Sequence, residues 1–378
     1  MNLQRYFDNG DPPRTNFLDI LEYWCQRQGE QPAFYFTDGD AQEASLTYRE
    51  LWTEIRGLAG YFQSQGIERN ERVLLLYPPG LDFVVGFFAC HAAGAIAVPA
   101  YPPRKNRKAG RIRSIAQDAQ TRFALSTTTV ADQLSGENRH PDLENICILG
   151  TDATDKRDLA KWQRPDLKAD DIAVLQYTSG STGSPKGVML THQNLVVNCE
   201  QITYAFQPQG TRSGVTWLPT YHDMGLVGGV LQPVFFGKAN TLMSPMTFLQ
   251  HPVKWLRAIT RYQANISGGP NFAYQLCVDK VEPEEMVGLD LSTWRIAFNG
   301  AEPIRAATLK AFSEKFASVG FRHDAFLPCY GMAETTLIVT GGPRETRPVR
   351  PADGRRPRRR DRRGPPEHRG PRFRRPGG

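Results

Sequence analysis

Between Ser45 and Gly341 short apolar runs alternate with stretches of helical periodicity, which confines the chain to a layered α/β body. Arg72–Tyr77 (RVLLLY) reads as a buried strand, Leu81–Ala93 as a helix, and Ala95–Val98 as a strand ended by Pro99. Ile172–Thr178 (IAVLQYT) reads as a strand running directly into a Gly/Ser/Thr loop, and Ala264–Gly268, Trp294–Phe298 and Ala325–Pro328 as further strands. Apolar residues at 249, 253, 256, 259 and 262 predict a helix over Leu249–Tyr262, and Ile304–Ala317 predicts another. Strands separated by helices pair in parallel, so mostly parallel sheets flanked by helices are expected. Ligands of such sheets gather at the carboxyl ends of strands, and the loops of chemical interest here all follow strands.

Charge divides the chain more sharply than length does. The net of +7 describes the end of the chain: residues 341–378 hold 14 Arg, no Lys and 4 acids, whereas the first 340 hold 32 basic and 35 acidic residues. The body is therefore slightly acidic, and composition gives no reason to expect a specific nucleic-acid partner for it. Two domains are expected, a body over 1–342 and a tail over 343–378. The tail is dense in Arg, Pro and Gly, and it lacks the apolar residues needed to fold alone. An RNA-binding or localisation tail and a solvated disordered tail are both readings of it. All-Arg basicity mixed with Pro, Gly and Ala is also what GC-rich DNA gives out of frame, and that reading is favoured.

The run Val84–Ala100 is too short and too rich in Gly and Pro for a membrane span, so a buried helix and strand are expected. The start, MNLQRYFDNGDPPRTNF, has no apolar segment of the secretory kind. Six widely spaced cysteines with no CxxC pair read as reduced thiols of a cytoplasmic protein.

The sharpest motif is the string Tyr177-Thr178-Ser179-Gly180-Ser181-Thr182-Gly183-Ser184-Pro185-Lys186-Gly187. Small residues let backbone N–H groups converge on an anion, the hydroxyls add donors, and Lys186 brings a positive charge for phosphate. It is not a Walker A loop, because Pro185 precedes the lysine and Gly187 stands where Ser or Thr would hold magnesium.

This string resembles the signature loop of the AMP-forming adenylating superfamily: acyl-CoA synthetases, luciferases and adenylation domains of peptide synthetases. Trp217–Leu226 (WLPTYHDMGL), Asn299–Ile304 (NGAEPI) and Tyr330–Thr336 (YGMAETT) agree with it in order. VPAYPPR at Val98–Arg104, LMSPMTFLQHP at Leu242–Pro252 and SGGPNFAYQLC at Ser267–Cys277 resemble the fatty acyl-AMP ligases in particular.

The resemblance implies that ATP is used with Mg2+, and that Thr178, Ser179, Gly180, Ser181, Thr182, Gly183 and Lys186 hold the β- and γ-phosphates. It implies that adenine lies between Gly300-Ala301-Glu302 and the Tyr330 ring beside Gly331, with Glu334 ligating the metal. His222 is the expected catalytic imidazole near the reacting carboxylate and α-phosphate, with Asp223 orienting it. Many relatives have Thr where this chain has Ala333, and Thr335 or Thr336 is expected to supply the missing hydroxyl. Met224, Gly268, Gly269, Pro270 and Phe272 are expected to line an acyl tunnel. The implied reaction makes a fatty acyl-adenylate and pyrophosphate, and then passes the acyl group to an acyl carrier protein. An acyl-CoA synthetase and a non-catalytic nucleotide- or RNA-binding remnant are the alternatives.

Members of that family continue through a ribose-binding aspartate, a hinge and a small C-terminal domain bearing a catalytic lysine. Lys315 is the last lysine of this chain. A truncated copy, impaired in complete turnover, is therefore expected.

Overall fold

The apolar run from Val84 to Ala100 divides at Gly94, whose φ of 81° is a left-handed conformation that glycine adopts without strain. Before it Leu81–Ala93 is helical, and after it Ile96–Pro99 is a strand with every residue buried. The computed structural model of the chain describes residues 7, 10–37, 43–101, 110–135, 143–153, 157–178, 185–208, 210 and 213–342. The chain divides into two units, Met1–Arg344 and Glu345–Gly378. The whole Arg-rich tail lies outside the described residues, as do all the expectations that rest on it.

The strands in chain order are β1 (Pro32–Thr37), β2 (Glu43–Thr47), β3 (Arg72–Leu75), β4 (Ile96–Pro99), β5 (Phe123–Ser126), β6 (Cys147–Gly150), β7 (Ile172–Thr178), β8 (Lys186–Thr191), β9 (Ser213–Thr216), β10 (Ala239–Met243), β11 (Ile266–Gly269), β12 (Ile296–Asn299), β13 (Phe326–Pro328), β14 (Tyr330–Gly331) and β15 (Ile338–Thr340). The helices are α1 (Phe17–Gln28), α2 (Tyr48–Ser64), α3 (Leu81–Ala93), α4 (Gly110–Ala119), α5 (Thr128–Leu134), α6 (His192–Phe206), α7 (Asp223–Leu226), α8 (Gln232–Phe236), α9 (Pro245–Gln250), α10 (Val253–Arg261), α11 (Asn271–Lys280) and α12 (Ala306–Phe316). A π-helical turn, Val227–Leu231, joins α7 to α8.

Two sheets carry the body. One has six strands in the order β6-β5-β3-β4-β7-β8, parallel except for the β7–β8 hairpin. The other has seven in the order β13-β12-β11-β9-β10-β1-β2, parallel except for β1–β2. β14 and β15 form a separate antiparallel pair. The expected α/β class with mostly parallel sheets and flanking helices is the one observed.

Three details differ from the sequence reading. The single helix expected over Leu249–Tyr262 is two, α9 and α10, broken at His251–Pro252. Proline has no N–H to continue the first helix, and the residue before it is pushed to extended ψ, here 79° at His251. The loop after Ile172–Thr178 turns the chain back into β8, which the periodicity does not announce. β1 and β2 lie before most of the alternating pattern and join the second sheet beside β10.

Behind the second sheet an aromatic cluster fixes β11 and β12. Trp255, Tyr274 and Trp294 are at most 2% exposed, and burying roughly 150–250 Å² in each makes them dominant contributors to this core. Their polar atoms are paired: Trp255 Nε1 donates to Ser267 Oγ at 2.8 Å and the Tyr274 hydroxyl donates to the Phe298 carbonyl at 2.8 Å. The cysteines are all free, with Cys25, Cys90, Cys199 and Cys277 buried, Cys329 half-buried and Cys147 exposed. No helix among the described residues is long and apolar enough to cross a membrane.

Candidate active site

The phosphate-loop motif is the tip of the β7–β8 hairpin. Thr178 faces Lys186 in the last register pair, and Tyr177 faces Gly187. A Cβ on Gly187 would meet the Tyr177 ring at 2.8 Å, so the ring opposite it calls for glycine where a Walker loop has Ser or Thr. The Tyr177 hydroxyl donates to Asp118 Oδ2 at 2.5 Å, and burial together with that carboxylate holds the phenol well above its usual range. Lys186 is exposed and makes no salt bridge to a described residue. Ser179, Gly180, Ser181, Thr182 and Gly183 lie outside the described residues.

From the same strand, Gln176 Nε2 donates to the Tyr221 carbonyl at 2.9 Å, tying β7 to the turn that carries His222. His222 sits at the N-cap of α7, its side chain 58% exposed. Its Nδ1 lies 2.5 Å from Asp223 Oδ1, which also accepts the Met224 N–H at 2.6 Å. That hydrogen bond to Asp223 raises the imidazole pKa above its ordinary value against the opposing effect of burial. The turn is tight because Gly225 presses on it: a Cβ there would come within 2.0 Å of the Pro219 carbonyl oxygen.

The opposite wall comes from the ends of β12 and β13. Gly300 follows β12, and a Cβ on it would meet the Cys329 carbonyl oxygen at 2.8 Å. Ala301 has φ 70°, a strained value for a residue with a side chain, of the kind that clusters at functional sites. Glu302 reaches away: its Oε1 accepts the Phe272 N–H at 2.5 Å and ties this loop to the start of α11. Tyr330 and Gly331 open the β14–β15 hairpin, and the Tyr330 ring is 58% exposed. Ala333 is buried, Glu334 is exposed at the hairpin tip, and the Thr335 hydroxyl donates to the Met332 carbonyl at 3.0 Å. Thr336 is buried with φ 75°.

Two positioning residues escaped the sequence reading. Asn198 on α6 is 3% exposed; its Nδ2 donates to the carbonyls of Thr335 and Ile338, both at 3.1 Å, and its Oδ1 accepts the Ile338 N–H at 3.0 Å. Gln176 is the other. Each is an amide that follows an apolar run (LVVN and IAVLQ), and that is the signal that marks them.

A cavity of about 230 Å³ joins the His222 turn to the wall at the ends of β12 and β13. His222, Met224, Gly300, Ala301, Tyr330 and Gly331 line it at the carboxyl ends of the strands. Ile202 and Phe206 of α6, Phe236 of α8 and Phe298 of β12 give it an apolar wall. Gly268, Gly269, Pro270 and Phe272 are not among its lining residues, and neither are Thr178, Lys186, Glu302 and Glu334. Gly268 is packed under the Phe298 carbonyl oxygen and Gly269 under the Trp217 indole, while Phe272 is 43% exposed beside Trp217. Pro270 precedes α11 as its N-cap.

The residues present fit a nucleotide: an exposed aromatic ring and a glycine backbone share one cavity, and Lys186 has no described anionic partner. They also fit Mg2+ of the kind held by one carboxylate plus substrate phosphates, with Glu334 as that carboxylate. No group of three or more His, Cys, Asp or Glu side chains is gathered for a metal among the described residues.

These parts sit at the strand ends of mostly parallel sheets, the place where open α/β sheets bind their ligands. The chain belongs to the AMP-binding enzyme family, which it matches over residues 21–365. It is similar to the medium-chain-fatty-acid–[acyl-carrier-protein] ligase JamA of Moorena producens, at 42% identity over 335 residues, covering 87% of this chain and 56% of that protein. It is also similar to the medium-chain-fatty-acid–[acyl-carrier-protein] ligase TtuA of Teredinibacter turnerae, at 36% identity, covering 83% of this chain and 55% of that protein. Among solved structures, the fatty acyl-adenylate ligase of L. pneumophila in complex with acyl adenylate and pyrophosphate superposes with a TM-score of 0.82 and 38% identity, covering 86% of this chain and 57% of that one. The chain thus spans little more than half the length of these relatives.

Proposed function

We propose that this chain forms the nucleotide- and acyl-binding part of a fatty acyl-AMP ligase. The reaction is in-line attack of a fatty carboxylate oxygen on the α-phosphorus of ATP. An acyl C–O–P linkage forms as the bond to the β-phosphate bridging oxygen breaks, and pyrophosphate leaves. The observation that carries this reading is the single cavity joining the His222, Gly300 and Tyr330 cluster to an apolar channel under α6 and α8. Such a cavity suits a ligand that is polar at one end and a hydrocarbon at the other.

In this reading Thr178 and Ser179–Gly183 bind the β- and γ-phosphates through N–H and hydroxyl donors, with Lys186 adding charge. Tyr330 stacks on the base against the Gly300–Ala301 backbone, while Glu302 holds that loop through Phe272. His222, kept protonated to higher pH by Asp223, stabilises charge where the carboxylate meets the α-phosphate. Thr335 is the hydroxyl nearest in sequence to the position where Ala333 has none. Mg2+ held by Glu334 would neutralise the phosphates. Positioning and charge neutralisation are the whole contribution asked of the protein, because no covalent enzyme nucleophile is needed. Met224 meets the acyl chain; Gly268, Gly269, Pro270 and Phe272 bear on it from behind, through Trp217 and Phe298. The acyl group then passes to an acyl carrier protein, as the names of JamA and TtuA suggest.

Titration of the chain with ATP and with a medium-chain fatty acid tests the binding half of this reading, and fatty-acid-dependent ATP–pyrophosphate exchange tests the chemical half. Saturable binding of both ligands supports it; binding of neither overturns it.

A further inference from the structure

Tyr177 enters the hairpin motif only as its first residue, yet its side chain is held on two sides. Its ring lies over Gly187, the residue that faces it in register, so closely that a Cβ there would stand 2.8 Å from Cζ. Its hydroxyl donates to Asp118 Oδ2 of α4 at 2.5 Å. Burial and that carboxylate hold the phenol well above its usual range, so the hydroxyl keeps the proton it donates.

α4 is a firm support for this bond. Ile112, Ile115, Ala116 and Ala119 recur at helical spacing and are buried in one core cluster with Leu74 of β3, Val98 of β4 and Tyr177 itself. β8 needs such a support, because it is the edge strand of the six-stranded sheet and pairs with β7 alone. The last register pair, Thr178 with Lys186, comes one residue beyond the clamped pair of Tyr177 and Gly187. Where Tyr177 is held therefore sets where the hairpin offers Thr178 and Lys186.

Resting on the ligase reading above, we propose that Asp118 is a positioning residue for nucleotide binding: through the Tyr177 hydroxyl it fixes the base of the hairpin that meets the β- and γ-phosphates. Asp118 itself does not touch the nucleotide. Loss of its bond loosens Thr178 and Lys186 but leaves Gly300 and Tyr330, which follow strands of the other sheet, as they were. The role is specific to the two phosphates that leave as pyrophosphate. AMP, which lacks them, does not depend on it.

Calorimetric titration of the 378-residue chain with ATP and with AMP, each with Mg2+, tests this. Tyr177→Phe and Asp118→Leu are each expected to weaken ATP binding about tenfold while AMP affinity stays at the parent's value. Asp118→Asn keeps an acceptor oxygen and is expected to hold ATP affinity within about threefold of the parent's. The double variant Tyr177→Phe/Asp118→Leu is expected to lose no more than either single one, because the two groups make one bond. Equal weakening of ATP and AMP assigns the pair to the fold alone and overturns the proposal. Unchanged ATP affinity in Tyr177→Phe, which removes one oxygen and keeps the ring, also overturns it, as do additive losses in the double variant. A parent that binds AMP as tightly as ATP overturns it and leaves adenylate binding standing; a parent that binds neither overturns the ligase reading too.

Discussion

Asn198 and Ile338 exchange two hydrogen bonds across 140 positions of chain, the amide of one side chain pairing with both backbone groups of the other residue. One amide on α6 thus closes the ladder edge of the hairpin that presents Tyr330, Glu334 and Thr335. Replacing Asn198 with Leu strands the Ile338 N–H and the carbonyls of Ile338 and Thr335. The expected loss is roughly 3 kcal/mol in denaturant unfolding, with weaker ATP binding at temperatures where the variant is folded. An unfolding midpoint equal to that of the parent would mean the hairpin does not depend on this amide.

Asp223 raises the pKa of His222, so the imidazolium persists to a higher pH than in an isolated histidine. The pair's attraction is fully present below the ordinary value of 6.5 and is lost as pH rises through the raised value. In Asp223→Asn the His222 titration midpoint, followed by imidazole proton shifts, is expected to move down. A midpoint that stays put removes Asp223 as the cause.

His91 and His192 are buried with ring centroids 5.0 Å apart, and burial holds both in the neutral form. His192 titrates at about 4 in the fold against 6.5 outside it. The unfolded chain therefore binds more protons in that window, and stability falls as pH drops from 6.5 towards 4. His192 alone accounts for roughly 3 kcal/mol. Denaturant unfolding at stepped pH should show the decline, and His192→Gln should flatten it; an equally steep decline in the variant assigns it to other groups.

Gly225→Ala pushes a methyl into the Pro219 carbonyl, a backbone atom that cannot step aside. The turn bearing His222 has to open. A loss of about 3 kcal/mol or more is expected, with fatty-acid binding impaired. A melting temperature within a degree of the parent's would show that the turn has slack.

Tyr330→Ala removes an exposed ring and little packing, so the melting temperature should hardly change. Loss of stacking on a base weakens ATP binding by about tenfold. Undiminished affinity would take Tyr330 out of the nucleotide site.

Much of this arrangement is legible in the sequence because it rests on local signals. The helix Leu81–Ala93 ends at the glycine that follows it, and the strand Ile172–Thr178 has the expected bounds. The motifs are local strings too, and residues of three of them (His222, Gly300 and Tyr330 among them) line one cavity. The rest depends on partners far along the chain. β8 is legible only once β7 is known to fold back, and nothing in the local strings PAFYFT and ANTLM pairs β1 with β10. The same limit hides why 268 and 269 are glycines: Phe298 and Trp217, distant in sequence, crowd them. Asn198 and Gln176 are visible as misplaced polar residues, though their partners are not.

The register that pairs Phe34 with Asn240 has a consequence for how the protein is made. During synthesis β1 and β2 leave the ribosome long before β10, the strand that β1 borders. In the interval the two can pair with each other, but the other edge of β1 and the apolar face of the pair have no sheet to join. Translation speed through the middle of the chain, and chaperones that shield the early strands, are therefore levers on its yield that no change at the binding site would reach.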